Sequence, residues 1–324
     1  MITLVLMAML VWAAPSWAVQ VVTGSYAGDG TDNRNITISP ACQPLAVFLQ
    51  RSDAAWGGQV FLSSMSTNSS GEYTGTSQNQ ADRIQQMNAD GFQVGTQSYV
   101  NASGSAYRYM AVCDNSANDV AVGTYAGNAG DNRDITISPA FQPEVVIVFP
   151  SNGGLAPWRG ATSHSGDTAS FLNSAAADAP NYIQQFNANG FQVGTSANSN
   201  AVNYYYLALK GSASGVVTGS FSGNGSDNRD ITTPGFQPEF VLVKGNSTTK
   251  KVATRYASQS GDLSFCADAA EVANIVQSFI STGFQVGTDT CTNENAVTMR
   301  WAAFADVAAP TGGGHSMLLT GVGQ

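Results

Sequence analysis

The hydrophobic positions of this chain fall in short runs separated by Gly, Asn, Asp and Ser. "VVTGSYAG" (21–28) alternates and then meets a Gly/Asp turn. In the next copy of the same phrase, "RDITI" sets Ile135 and Ile137 on one face with Arg133, Asp134 and Thr136 around them. Strand side chains alternate between faces, so the two runs predict the arms of a hairpin. "FQPEVVIVF" (141–149) is apolar on both faces and predicts a buried strand. Pro143 fits near its start, where the ladder needs no donor. "IQQFNANGFQVGT" (183–195) places two short apolar runs around Asn189-Gly190, a pair suited to a tight hairpin turn. Asp90-Gly91 repeats that signal, and Thr282-Gly283 gives a weaker form of it. A closing strand follows in each copy: "AYRYMAV", "NYYYLAL" and "TMRWAAF". "AAADAPNYIQQF" and "ADAAEVANIVQSF" add a short helix or helical turn before the hairpin.

These elements come three times. The opening glycines of "GSYAG", "GTYAG" and "GSFSG" are Gly24, Gly123 and Gly219, 99 and 96 residues apart (123 − 24 and 219 − 123). A repeat of that length is a small domain with its own core, not a solenoid turn. The expected organisation is a signal peptide (1–18), three β-sandwich repeats (19–118, 119–214 and 215–308) and a Gly-rich tail (309–324). Six or so short strands per repeat, with regular turn signals, make the fold class all-β: three tandem antiparallel β-sandwich modules.

Composition narrows the functional classes. Of 324 residues 43% are hydrophobic and 11% charged, so cores are affordable and the polar surface is made of amides and hydroxyls. A net charge of −9 without a Lys/Arg cluster argues against nucleic acid as a partner. The apolar run from Ile2 to Ala13, then Pro15 and Ser16-Trp17-Ala18, reads as an export signal cleaved after Ala18, although no Lys or Arg precedes the run. No later stretch is long enough to span a membrane, and the expected location is secreted or at the cell surface. Cys42 and Cys113 fall in the first repeat, Cys266 and Cys291 in the third. Two disulfides within modules fit an oxidising compartment, but four cysteines allow three pairings.

Asp-Asn-Arg recurs without variation, as Asp32-Asn33-Arg34, Asp131-Asn132-Arg133 and Asp227-Asn228-Arg229. One reading is a turn in which Asp and Asn bond nearby backbone and Arg pairs with a carboxylate. A second is a sugar-binding loop, because these side chains offer acceptors and forked donors to hydroxyl groups. A third is a calcium loop, against which stand the wrong spacing and the missing closing Glu. In the last strand, alternation sets Tyr109, Tyr206 and Trp301 opposite Arg108, Tyr205 and Arg300. The second set faces a module contact or a ligand groove. Trp56 and Trp158 stand at matching places after the buried strand, where each could stack on a sugar ring or cap the sandwich. Two histidines, His164 and His315, are too few for a three-His zinc site. Ser163, His164 and Asp167 are too close in sequence to read as a triad, and no hydrolase or P-loop motif occurs. The expectation is a protein without catalytic residues, metal or cofactor, with calcium as the one candidate ion.

The order R-x-I, F-x-P-x-x-V, GF-x-V, aromatic-x-A resembles the H-type lectin domain, carried by Arg133, Ile135, Phe141, Pro143, Gly190, Phe191, Val193, Tyr206 and Ala208. The wording "GFQP … GFQVGT … VNASGSAY" also resembles repeat modules of bacteriophage structural proteins and bacterial exported proteins. The lectin resemblance implies a six-stranded sandwich, trimeric assembly, and N-acetylgalactosamine-like sugars bound at subunit junctions. Carried over, it sets Arg108, Tyr205 and Arg300 near such junctions; the family's ligand loops find no match here. The resulting expectation is an exported, non-enzymatic, multivalent adhesion protein whose partners are glycans or surface polymers. The alternative is a structural or decorating protein of an envelope, filament or virion, held by self-assembly or a protein partner.

Overall fold

The computed structural model describes residues 19–114, 118–211 and 215–305. The expected signal and Gly-rich tail lie outside the described residues. The chain is all-β and forms three antiparallel β-sandwiches in tandem. The first consists of β1 (Val19–Ala27), β2 (Arg34–Thr37), β3 (Ala46–Arg51), β4 (Gln59–Leu62), β5 (Gly71–Glu72), β6 (Ile84–Asn88), β7 (Gly91–Val94) and β8 (Ala106–Asp114). One sheet has the order β1-β8-β3-β4-β5 and the other β2-β7-β6. The second and third modules repeat both sheets in the same order.

Two sequence expectations need correction. The "VVTGSYAG" and "RDITI" runs are not the arms of one hairpin. β1 pairs with the closing strand β8 (Val22 opposite Ala111), and β2 pairs with β7 (Ile36 opposite Phe92). The Gly/Asp turn between them therefore carries the chain from one sheet to the other. The expected helical turn before the GFQV hairpin is also absent. Ala169–Ala179 and Ser264–Val272 pair there as isolated bridges. Asn181 and Asn274 next to them take left-handed φ values of 63° and 65°, which interrupt an α-helix. Short helical turns come after the hairpin instead, at Ser98–Asn101, Thr195–Ala197 and Thr290–Asn293. The GFQV hairpin itself forms in all three modules. Its glycine is required sterically: a Cβ on Gly91, Gly190 or Gly283 would lie 2.0, 2.0 or 1.9 Å from the carbonyl oxygen of Ile36, Ile135 or Ile231.

The central strand explains its own composition. Val146 and Val148 point into the sandwich of the second module, against Phe191 and Val193. Val145, Ile147 and Phe149 point the other way, into a core shared by all three modules. Phe48, Ile147 and Leu242 are equivalent positions in that shared core. The Phe48 ring lies 6.4 Å from Phe149 and 6.5 Å from Phe240, touching both other modules. Tyr73 and Tyr256 bond hydroxyl to hydroxyl at 2.9 Å in the same region. An antiparallel strand that is apolar on both faces must be covered on both. Here the second cover is supplied by the neighbouring modules.

The three modules meet head to tail and close a ring. At each seam a hydroxyl bonds the first-strand backbone of the next module: Ser258 to Gly24 O (2.9 Å), Ser64 to Gly123 O (3.3 Å), and Thr162 to Thr218 O. Thr23 donates to Glu239 (2.9 Å) and Thr218 to Glu144 (2.6 Å), while Val122 and Leu45 fill those positions at the remaining seam. Arg108 pairs with Glu271 at 2.8 Å, and Arg300 with Asp178. Among the described residues two seams are thus ionic and one is not. At the seam between the second and third modules, buried His164 accepts the Gly160 N–H on Nδ1 (3.1 Å), so its proton sits on Nε2, 3.0 Å from the Ser170 hydroxyl. Ser170 in turn donates to Asp178.

A double-mutant cycle tests the ring. Arg108→Ala and Glu271→Ala, 163 positions apart, are expected to couple by about 0.5–3 kcal/mol in urea unfolding; additive losses would mean that the first and third modules do not touch in solution. Burial, then Arg300 and Arg159, hold His164 well below its usual value of 6.5. The folded chain then binds fewer protons than the unfolded one, so this contribution is present above pH 6.5 and is lost as pH falls toward the depressed value. Comparing thermal midpoints at pH 7 and pH 5, His164→Gln is expected to show a smaller acid loss than the unsubstituted protein.

Candidate functional site

The repeated Asp-Asn-Arg phrase forms a tightly bound corner. Asn33, Asn132 and Asn228 all adopt left-handed φ, at 55°, 53° and 53°, a conformation that Asn tolerates better than most residues. The arginines turn inward. Arg34, Arg133 and Arg229 each donate to a main-chain carbonyl at 2.6 Å, of Ala27, Ala126 and Ser222. Each guanidinium also lies over an aromatic ring, Tyr26, Tyr125 or Phe221, at 5.3, 5.6 and 4.9 Å. Asp32, Asp131 and Asp227 accept from Gln85, Gln184 and Gln277 on the neighbouring strand, at 3.0, 3.1 and 2.9 Å.

The hub of this corner is a residue that the sequence pattern did not single out. Asn101, Asn198 and Asn293 are fully buried. Asn198 accepts from Asn128 N (3.2 Å) and Arg133 (2.9 Å), and donates to Asn128 Oδ1 (2.6 Å) and Gly130 O (2.7 Å). The signal was an Asn following each GFQV hairpin by 10, 8 and 10 residues (101 − 91, 198 − 190, 293 − 283), obscured by the shorter spacing in the second copy. Asp29, Asn128 and Asn224 accept from main-chain N–H groups two residues on, which is turn geometry. The N–H and hydroxyl of Thr31 hold the Asp29 carboxyl below the usual range.

The other predicted residues are separated. Arg108 and Arg300 are spent in seam ion pairs, and Arg108 donates besides to Ser258 O at 2.9 Å. Tyr205 occupies the same strand position, half-buried against the shared core. Trp56 and Trp158 are not equivalent. The register sets Trp158 opposite Ile147 and Val60 opposite Phe48, so Val60 is the counterpart of Trp158. Trp158 is fully buried beside His164, and Trp56 sits in a loop with its ring 4.4 Å from Tyr99. The cysteines pair within modules, Cys42 with Cys113 and Cys266 with Cys291. Cys266, Asp289 and Cys291 cluster, but their two sulfurs are joined to each other and offer no thiolate.

A different constellation is both exposed and repeated. On the outer face of the three-stranded sheets, Asn88 and Gln93 both donate to Asn35 Oδ1 at 3.0 Å. In the second module Asn187 and Gln192 donate to Asp134 at 2.7 and 3.1 Å, and in the third Gln285 donates to Asp230 at 2.9 Å. Strand alternation makes these ladders: the same β7 run that buries Phe92, Phe191 and Phe284 turns its Gln to solvent. Beside the second ladder lies a cleft of about 400 Å³ lined by Asn132, Arg159, Asp167, Gln184, Gln185 and Gln192. Among the described residues Val272 is the exposed large hydrophobic residue.

No protein-family model matches the chain, and no curated protein matches it. Among the described residues no helix is long and apolar enough to cross a membrane.

Asn198→Ala should remove four bonds from a fully buried hub and lower stability by about 1–3 kcal/mol. Hydrogen exchange should then quicken first in residues 127–133; a uniform change across the module would show that the asparagine does not hold this corner.

Proposed function

We propose that this chain is an exported, non-enzymatic, multivalent binder of glycans or other hydroxyl-rich surface polymers. The observation that carries the reading is the solvent-side amide ladders at Gln93 and Gln192, each with a second amide, and the matching Gln285–Asp230 pair of the third module. Amide and carboxylate groups side by side offer the donors and acceptors that hydroxyl groups bond to. Three weak faces on one rigid ring would engage a polymer with an avidity far above that of each alone. The two disulfides fit an extracellular setting. Assembly through exposed aromatic rings has less support, since Tyr107, Tyr109, Tyr206 and Trp301 are already buried.

A glycan array probed with residues 19–324, with and without a calcium chelator, tests the reading. Retention on a defined sugar set is expected, with a loss of about tenfold or more in the triple variant Gln93→Ala, Gln192→Ala, Gln285→Ala. A blank array with folded protein would sink it, and loss of binding on chelation would make a cation part of the site.

A further inference from the structure

The three modules are not equal as binding units. Phe61, Arg159 and Arg255 occupy one position, each opposite the equivalent valine of the central strand: Val47, Val146 and Val241. Asn68, Asp167 and Asp262 share a second position, each accepting a main-chain N–H across the same loop, from Asp82, Asn181 and Asn274. A guanidinium and a carboxylate therefore coincide in the second and third modules, whereas the first has a phenyl ring and an amide.

The two arginines are committed differently. Arg255 donates to Leu263 O, to Val276 O at 3.0 Å and to Gly261 O at 2.9 Å, and its Nε is buried without a partner. Arg159 donates to one carbonyl, Thr168 O. Its guanidinium lies over the Phe186 ring at 5.9 Å, and the side chain lines the cleft. Asp167 faces the same space, holding Asn181 N at 3.1 Å and Gln184 at 3.4 Å with acceptor capacity to spare. Exposed Gln185 and half-buried Gln192 complete the walls. The volume is within the range that holds small ligands.

Building on the glycan reading above, we propose that the second-module cleft is the principal saccharide subsite and takes one unit of an uncharged polymer with neighbouring hydroxyls. Arg159 donates to one ligand oxygen, and Asp167 accepts from an adjacent O–H. The two charges balance inside the cleft, with Asp131 behind Gln184. An acidic sugar would add an uncompensated negative charge to a chain whose net charge is already −9. The residues that line the subsite all belong to the second module, beside the loop that reaches the seam with the third.

The test uses residues 19–324 with immobilised dextran, galactan and mannan, and alginate as the acidic comparison. Arg159→Gln and Gln185→Ala are each expected to weaken binding to the retained neutral polymer by about tenfold or more. Gln86→Ala, the matching change in the first module, should stay within about twofold. Should Arg159→Gln fail to fold, as its thermal midpoint would report, the exposed Gln185 decides alone. Equal losses from Gln86→Ala and Gln185→Ala, or full binding by a folded Arg159→Gln, would overturn the subsite and leave the broader reading standing. Retention on alginate alone would overturn the neutral class. No retention on any of the four polymers would overturn both proposals.

Discussion

The structure depends on giving cover to the second face of three central strands. Each module alone can bury one side of its five-stranded sheet beneath its own three-stranded sheet. The other side, with Phe48, Ile147, Phe149, Phe240 and Leu242, would face water. A Phe removed from such a core typically costs about 3–5 kcal/mol, so leaving several exposed is untenable. Three copies around one axis solve the problem, and the solution fixes where everything else can go. Side chains on the axial side become core or seam, so only the outer faces of the three-stranded sheets and the loops remain for partners.

The seams show how near-identical modules are kept in order. The joint between the first and second modules uses Val122 opposite Leu45, with Asn79 at the acid position and Tyr205 at the arginine position. The other two use Thr–Glu contacts and Arg–carboxylate pairs. Shifting the modules around the ring would set Leu45 against Thr23 or Thr218, or Val122 against a carboxylate, leaving a polar group buried and unpaired. The ion pairs thus act through the mismatches they penalise as much as through their own strength.

Much of the fold was legible because Gly, Pro and alternating apolar residues report local backbone needs. Gly91, Gly190 and Gly283 marked their hairpins correctly because the approach of a carbonyl leaves no room for a Cβ. The doubly apolar run 141–149 announced a buried strand, but not that other modules provided the burial. Strand pairing was misread for the opposite reason: "RDITI" follows "VVTGSYAG" closely, yet their partners lie about 80 and 60 residues away (106 − 27 and 91 − 34). The binding candidates were chosen for striking chemistry: Arg108, Arg300, Trp158 and the repeated Asp-Asn-Arg. Residues of that kind repeated in step are also what a repeated joint needs, and most were taken by joints. The half-buried glutamines of the ladders passed as ordinary hairpin residues, since no pattern along the chain shows two neighbouring amides meeting on one oxygen.

Ring closure also has a kinetic side. Contacts such as Ser258 with Gly24 and Tyr256 with Tyr73 join residues 234 and 183 positions apart. Sequence separations of that size make folding slow, because the loop must close before the contact rewards it. Until the third module is present, the first carries an uncovered apolar sheet face, the kind of surface on which incomplete chains adhere to one another. The ring therefore acts as a length check: a chain cut short before its last module keeps a sticky face, and the third module is what covers it.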